Sequence, residues 1–464
     1  MRNLLFAVSV ALLLTVTLVV PTDARPFNGG GGGKVTPSTI PIKHVVFLVQ
    51  ENHAYDSLFG LYCQVVGPYC PHAANGIPAG TCVPMFPTNL SRGCVRPFNQ
   101  SALFLPVDMN HIWTGSHGSW DNGSMDGFYV AEGRTNETFG HYNASTIPVY
   151  YNLAEQYALA DNFFSSAQSY SLPNHWYLVA NATPAAGLYN LSYLNSYKAA
   201  HTYLNEANAT PTIEDSLINR SVSWKYYDIS LNNYNGAISN LTNVGLSAYS
   251  FWSPLAAREQ SYASSVASHF TGRPQFFRDA HAGKLPALSW VIPTASASDH
   301  PKLGNLSTGQ DWVASVVDAI EKSPEWNSTV LFVAWDDFGG FYDHVAPPFR
   351  DANGDGFRVP FLAIGPWVRE GYVSHTPMDF GSVLRFMEWR FGLPCIGERD
   401  CTANLPLDMF NFTEGPRAPI VFGNYSAGTV YPMTLQSSWK NPRLMDSPFA
   451  PNSPDLNDTT PEQD

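Results

Sequence analysis

Charge is scarce in this chain. Asp, Glu, Lys and Arg make up 14% of its 464 residues, where soluble domains carry about 25%. Basic residues are the scarcer kind: 25 Lys and Arg against 38 Asp and Glu leave a formal net charge of -13 and a pI near 5.4. That excludes a nucleic-acid partner, because neutralising a phosphate backbone takes a clustered basic footprint. Long apolar runs are missing too. After the first twenty residues nothing approaches the roughly 20 apolar residues of a membrane span, so the folded body is expected to be soluble. Cysteines number 6, and no pair has CxxC spacing, which argues against a zinc site and for disulfides.

What stands in place of charge is sugar-acceptor sequence. Asn-x-Ser/Thr sequons recur from Asn89 through Asn122, Asn181, Asn219, Asn305 and Asn411 to Asn457, an excess that predicts N-linked glycans on an exported protein. Asn181, just past Pro173-Asn174-His175, is expected to be buried and unused. Arg2 precedes an apolar run from Leu4 to Val20, and Thr22-Asp23-Ala24 offers small residues for cleavage. Residues 1–24 therefore read as a signal peptide and 25–35 as a Gly-rich leader. Cleavage is the favoured reading over an uncleaved anchor. A catalytic domain is expected over 36–445, with 181–245 as an insertion over the site and 446–464 as a flexible tail. Cys63, Cys70, Cys82 and Cys94 form one cluster of open connectivity, and Cys395 and Cys401 a local pair.

Two strand ends carry the chemistry. Thr329 to Ala334 is an apolar run that stops at Trp335-Asp336-Asp337-Phe338-Gly339-Gly340, and Ile42 to Gln50 runs directly into Glu51-Asn52. Ligands gather at the carboxyl ends of strands in open α/β sheets. Glu, Asn and two Asp make a hard oxygen set suited to a cation that handles phosphate, although acidic residues after strands also serve as caps and turn formers. Further strand-like runs at Ala287 to Ile292 and Val359 to Ile364 alternate with helical patterns at Trp312 to Lys322 and Phe380 to Phe391. The alternation predicts parallel neighbours with helices on both faces. Ser171 precedes Leu172-Pro173, where a helix over Asn174 to Ala180 can begin. That places its hydroxyl at a helix start, either as a nucleophile or as a simple N-cap. His111 and His300, the latter in Ser298-Asp299-His300-Pro301, complete the inventory. Asp56 reads as a cap for the short helix at Ser57 and Asp161 as a structural carboxylate.

Together these blocks, in order from Ile42 to about Pro394, resemble the phosphoesterase family of acid phosphatases and phospholipases C, relatives of the alkaline phosphatase superfamily. The quoted blocks are Glu51 to Gly60, His111 to Phe128, Ser171 to His175, Ser298 to Pro301 and Asp336 to Pro348. The resemblance implies an alkaline-phosphatase-like α/β fold with a mixed, mostly parallel sheet between helices. It implies that Glu51, Asn52, Asp336, Asp337 and the Ser171 oxygen hold one metal ion, with iron, manganese, zinc and calcium all open. It further implies that His111 and His300 face the phosphoryl group; Asn52 is expected to stabilise its equatorial oxygens, and Asp343-His344, a pair the family shares, to orient the metal carboxylates or the turn. There are departures: Phe251-Trp252-Ser253-Pro254 stands where the family often has a histidine before proline, with His201, His269 and His281 as substitutes. Serine at 171 and the lack of an arginine pair in the leader tilt the expectation from phospholipase C toward acid phosphatase. The expected partner is a phosphate ester. A membrane enters only as a lipid substrate or through an uncleaved anchor. The rival outside enzymology is a glycosylated surface protein without activity.

Overall fold

The computed structural model describes residues 35–62, 74–189, 197–228, 252–258, 261 and 263–420. The predicted signal peptide, the leader up to residue 34, the C-terminal tail, Cys63 and Cys70 lie outside them. The strands of the central sheet are β1 (His44–Gln50), β2 (Ala158–Ala160), β3 (Trp224–Asp228), β4 (Phe270–Gly272), β5 (Leu288–Val291), β6 (Thr329–Trp335), β7 (Phe361–Ile364) and β8 (Tyr372–Ser374). Their order is β8-β2-β7-β6-β1-β5-β3-β4. The helices used below are α1 (Tyr55–Phe59), α2 (Ser171–Trp176), α3 (Tyr197–Ala209), α4 (Ile213–Arg220), α5 (Leu306–Glu321) and α6 (Phe380–Phe391).

β1 and β6 are central because they are apolar on both faces. Val45 to Val49 and Val330 to Trp335 are all buried, the pattern of strands covered on each side. Burying each such Val, Leu or Phe contributes about 1.5–3 kcal/mol. The two strands pair in parallel with Gln50 opposite Trp335, so Glu51 and Asp336 leave the sheet side by side at its carboxyl edge. β5 flanks β1 on the other side, also parallel. The sheet is mixed as expected, but the alternation overpredicts parallel pairing: β7 runs antiparallel to both β6 and β2. Between β6 and β7 the chain makes only turns and loop, so no helix carries it back to the starting edge.

Helix limits follow capping chemistry. α5 starts six residues before the predicted Trp312, because Asn305 caps it by accepting from Ser307 N and Thr308 N at 2.9 and 3.0 Å. α6 matches its predicted limits, with a capping box of Asp379 and Ser382 and Gly392 at the left-handed stop. The stretch read as an insertion, 181–245, is partly structural framework: it holds α3, α4 and β3, a strand of the central sheet. The rest of it from 229 onward lies outside the described residues.

Two buried arginines tie loops to this frame. Arg358 donates to Asp343 Oδ1 at 2.9 Å, Asp56 Oδ1 at 3.0 Å and the Asp161 carbonyl at 2.8 Å. Asp56 therefore does not cap α1, whose N-cap is Ala54; its other oxygen accepts from His344 N and Nδ1 at 2.9 and 2.7 Å. Asp161 is structural as expected, holding Asn75 N at 2.7 Å and His375 at 2.9 Å. The second arginine, Arg399, enters the loop Asp351-Ala352-Asn353-Gly354-Asp355-Gly356, whose acidic spacing resembles that of a calcium-binding loop. There it donates to Asp351 Oδ2 at 2.8 Å and the Gly354 carbonyl at 3.0 Å, and it also meets Asp355 and Asp379. Disulfides join Cys82 to Cys94 and Cys395 to Cys401, the second closing the turn that carries Arg399.

Candidate active site

The site sits at the carboxyl ends of β1 and β6. Asn52 has a left-handed φ of 56°, a conformation asparagine tolerates better than most residues. That turn points its backbone N-H at Asp336 Oδ1, 2.9 Å away. After β6 the chain turns sharply at Gly339, whose N-H donates to Asp337 Oδ1 at 2.7 Å. Gly339 has φ +58°, and a Cβ there would lie 2.2 Å from the Asn52 carbonyl oxygen. Behind this turn an apolar cluster of Met109, Phe128, Phe338, Phe341 and Phe357 joins the His111 segment to the Asp336 segment.

Ser171 completes the arrangement from α2. The helix spans Ser171–Trp176, not Asn174 to Ala180, and its N-cap is Tyr170. The serine is thus no cap. Its Oγ lies 3.2 Å from Glu51 Oε2, 3.3 Å from Asn52 Oδ1 and 3.3 Å from Asp337 Oδ2. All five predicted metal-binding residues therefore meet, and all are fully buried.

The Asn52 amide lies between two unlike neighbourhoods. One end is 3.2–3.3 Å from Glu51 Oε2, Asp336 Oδ1 and Ser171 Oγ; the other is 3.0 and 3.1 Å from the Nε2 atoms of His111 and His300. Both rings direct Nδ1 at a backbone carbonyl, Met109 O at 2.7 Å and Pro301 O at 2.6 Å. A ring with its proton on Nδ1 accepts at Nε2, so the amide NH2 belongs on the imidazole side and its oxygen among the carboxylates. Four acceptors around one space repel unless a cation fills it. Metal bonds of about 2.2 Å at right angles put neighbouring donors about 3.1 Å apart, close to the 3.2–3.3 Å separations here. Asp336 Oδ2 is also buried without a hydrogen-bond partner. The donor set fits one hard or borderline cation. Burial pushes the Asp336 carboxyl up, but His175, Glu51 and Ser171 outweigh it and hold the group well below the usual carboxylate range.

His175 escaped the reading of the sequence. Its Nε2 lies 2.8 Å from Glu51 Oε1 and 3.6 Å from Asp336 Oδ2. The signal was available, since positions i and i+4 share a helix face and His175 follows Ser171 by that interval. The expected substitutes for the missing family histidine lie elsewhere. His269 stacks on Trp224 and faces the Trp224 carbonyl, at the amino end of β3 and so at the opposite edge of the sheet. His281 ends the helix Pro274–His281, and His201 is on α3. The Asp343-His344 pair belongs to the Arg358 cluster and braces the following turn through Val345 N, 2.8 Å from Asp343 Oδ1. Beside His300, Asp299 is buried and pushed up to about 8, against the opposing pull of Tyr150 and Trp335.

Comparison with known proteins gives the family of the chain. The Phosphoesterase family model matches residues 42–394. Phospholipase C A of Mycobacterium tuberculosis is 28% identical over 440 residues, covering 84% of this chain and 81% of its own. Non-hemolytic phospholipase C of Burkholderia pseudomallei is 28% identical over 397 residues, 75% of this chain and 55% of that one. Non-specific phospholipase C6 of Arabidopsis thaliana is 27% identical over 367 residues, 72% and 63% of the two chains. Among solved structures, an alkaline phosphatase superfamily protein from Vibrio parahaemolyticus aligns at TM-score 0.37 and 11% identity, over 80% of this chain and 72% of its own. With a family model spanning most of the described chain and the site it brings together, the chain belongs to the Phosphoesterase family and is a hydrolase of phosphoric esters.

Proposed function

We propose that this is an exported, glycosylated, metal-dependent phosphomonoesterase of the acid phosphatase type, acting through a phosphoserine at Ser171. The observation that carries the reading is the contact of one buried hydroxyl with Glu51, Asn52 and Asp337 at 3.2–3.3 Å. Glu51, Asn52, Asp336, Asp337 and Ser171 would hold one ion, which supplies Lewis-acid activation of the hydroxyl and of the phosphoryl group. Ser171 Oγ passes its proton to an adjacent carboxylate, with Glu51 Oε2 3.2 Å away, and attacks phosphorus in line; the Oγ-P bond forms as the bond to the leaving oxygen breaks. His111 and His300 present their Nε2 poles at the Asn52 amide, the side from which a phosphoryl oxygen is met. Once substrate has replaced the Asn52 contact, a ring that has gained a second proton at Nε2 gives it to the departing alkoxide, and water then cleaves the phosphoserine. Reliance on that proton predicts an acidic optimum.

Supporting export and glycosylation, the sequon residues Asn89, Asn99, Asn122, Asn136, Asn208, Asn219 and Asn327 are exposed. Asn181, expected to be buried, is half-exposed, but its amide packs against Gly397, where a Cβ would stand 1.6 Å away. A second reading, phospholipase C activity on a diester, is favoured by the names of the relatives at 27–28% identity. Hydrolysis of p-nitrophenyl phosphate, p-nitrophenylphosphorylcholine and phosphatidylcholine across pH, with metal analysis, decides between them. Faster turnover of the choline esters overturns the monoesterase reading. Inactivity on all three in metal-replete protein favours the non-catalytic surface protein. Ser171→Ala should reduce turnover by about 10⁴-fold or more even at saturating metal; turnover retained at the wild-type rate would rule out the covalent route.

A further inference from the structure

Glu51 divides its two oxygens between two tasks, and Asp336 lies beside it. Glu51 Oε2 and Asp336 Oδ1 lie 3.2 and 3.3 Å from the Asn52 amide end that faces Ser171. The other two oxygens, Oε1 and Oδ2, lie 2.8 and 3.6 Å from His175 Nε2. Of these two contacts only the one to Glu51 is a hydrogen bond, so His175 holds the Glu51 oxygen that faces away from Ser171. Its opposite nitrogen, Nδ1, is 3.0 Å from the Trp252 carbonyl, so both ring nitrogens face acceptors and the ring cannot rotate without breaking a bond. Trp252 belongs to the Trp252-Ser253-Pro254 segment, where the resembling family often places a histidine. That segment is itself anchored, because the Trp252 carbonyl also accepts from Tyr226 OH at 2.7 Å and Tyr226 is a buried residue of β3.

We infer that His175 is a positioning residue that aims the Glu51 carboxylate at the cation, and that the Trp252 carbonyl on β3's flank fixes its ring. The inference rests on the metal-site reading above. Its physical content is that a carboxylate hydrogen-bonded through its outer oxygen has one orientation left for its inner one. Such supporting bonds to metal ligands are worth about 10–100-fold in metal affinity.

The test uses the full chain loaded with manganese. Metal retention against a graded chelator is measured for wild type, His175→Gln and His175→Ala, with thermal melts of the stripped proteins as a fold control. His175→Ala should release the ion at about 10–100-fold lower chelator concentration, and His175→Gln, which keeps one N-H donor, should recover part of that loss. At saturating manganese, kcat should return further than metal affinity does. Retention by His175→Ala equal to wild type overturns the positioning role. A directly bound nitrogen in the pulsed EPR spectrum of the wild type overturns it too, since His175 would then be a ligand. If the alanine variant fails to fold, the glutamine variant and the wild-type spectrum carry the test. Wild type that binds no metal at all defeats the metal-site reading itself, an outcome distinct from either.

Discussion

Replacing Asp299 with asparagine should flatten the pH dependence of stability. Asp299 is buried, accepts from Tyr150 OH at 2.7 Å and Trp335 Nε1 at 2.9 Å through Oδ2, and leaves Oδ1 without a partner. Burial raises the group to about 8, from an ordinary value of 3.8. Between those values the folded chain keeps a proton that the unfolded chain has lost. Stability is therefore fully present below about pH 4 and drains away as pH rises toward 8, by about 1.4 kcal/mol per pH unit. From pH 5 to 7.5 that is about 3 kcal/mol. Asparagine retains an oxygen for the Tyr150 and Trp335 donors but cannot ionise, so the variant should match wild type near pH 5 and exceed it by about 3 kcal/mol at pH 7.5. Glu321 and Asp355, each raised to about 7 by burial, slope the same way in both proteins. The difference between variant and wild type, read from urea midpoints at the two pH values, removes their contribution. An equal gap at both values would refute the assignment of a neutral carboxyl to Asp299.

Asp336→Asn and Asp337→Asn should each lose bound metal together with activity, read by elemental analysis and p-nitrophenyl phosphate turnover; full occupancy with full activity would remove the residue from the cage. Gly339→Ala forces a Cβ toward the Asn52 carbonyl at a left-handed φ, and should cost more than about 1 kcal/mol in thermal or urea stability while lowering kcat through Asn52. Arg358→Met leaves Asp56 and Asp343 buried without their guanidinium, a loss of about 3–5 kcal/mol. Adding Asp56→Asn and Asp343→Asn to that variant should restore part of it; no restoration in the triple variant would show the loss to be one of packing.

Four of the residues proposed to hold the metal were legible because they sit at breaks in pattern. Glu51-Asn52 and Asp336-Asp337 interrupt apolar runs, and an acid placed at the end of a buried strand has few reasons to be there. That β1 and β6 are adjacent was not legible, since pairing between residues about 285 positions apart leaves no local trace. β3 hid because Trp224-Lys225-Tyr226-Tyr227-Asp228 mixes aromatic and charged residues inside an Asn-rich, sequon-dense stretch. The antiparallel course of β7 depends on a loop path, which hydrophobic period does not encode. Asp56 was misread for a related reason: as a residue in a short helix it resembles a cap, and only the approach of Arg358 from 302 residues away assigns its charge a partner. His175 differs from these, for its spacing from Ser171 was in plain view and only the partner carboxylates were not.

Arg399 in the Asp351 to Gly356 loop bears on how this protein answers to chelators. A loop of that spacing often makes a protein's architecture hostage to calcium supply. Here the positive charge is covalently part of the chain, delivered by the turn that the Cys395–Cys401 bond closes, and cannot be dialysed away. The same loop packs against Ser165 and Ala167, upstream of Ser171, so the segment leading to Ser171 rests on a loop whose central charge is a side chain. For the metal cage proposed above this makes EDTA an instrument: activity lost on chelation with an unchanged melting profile is not lost through this loop.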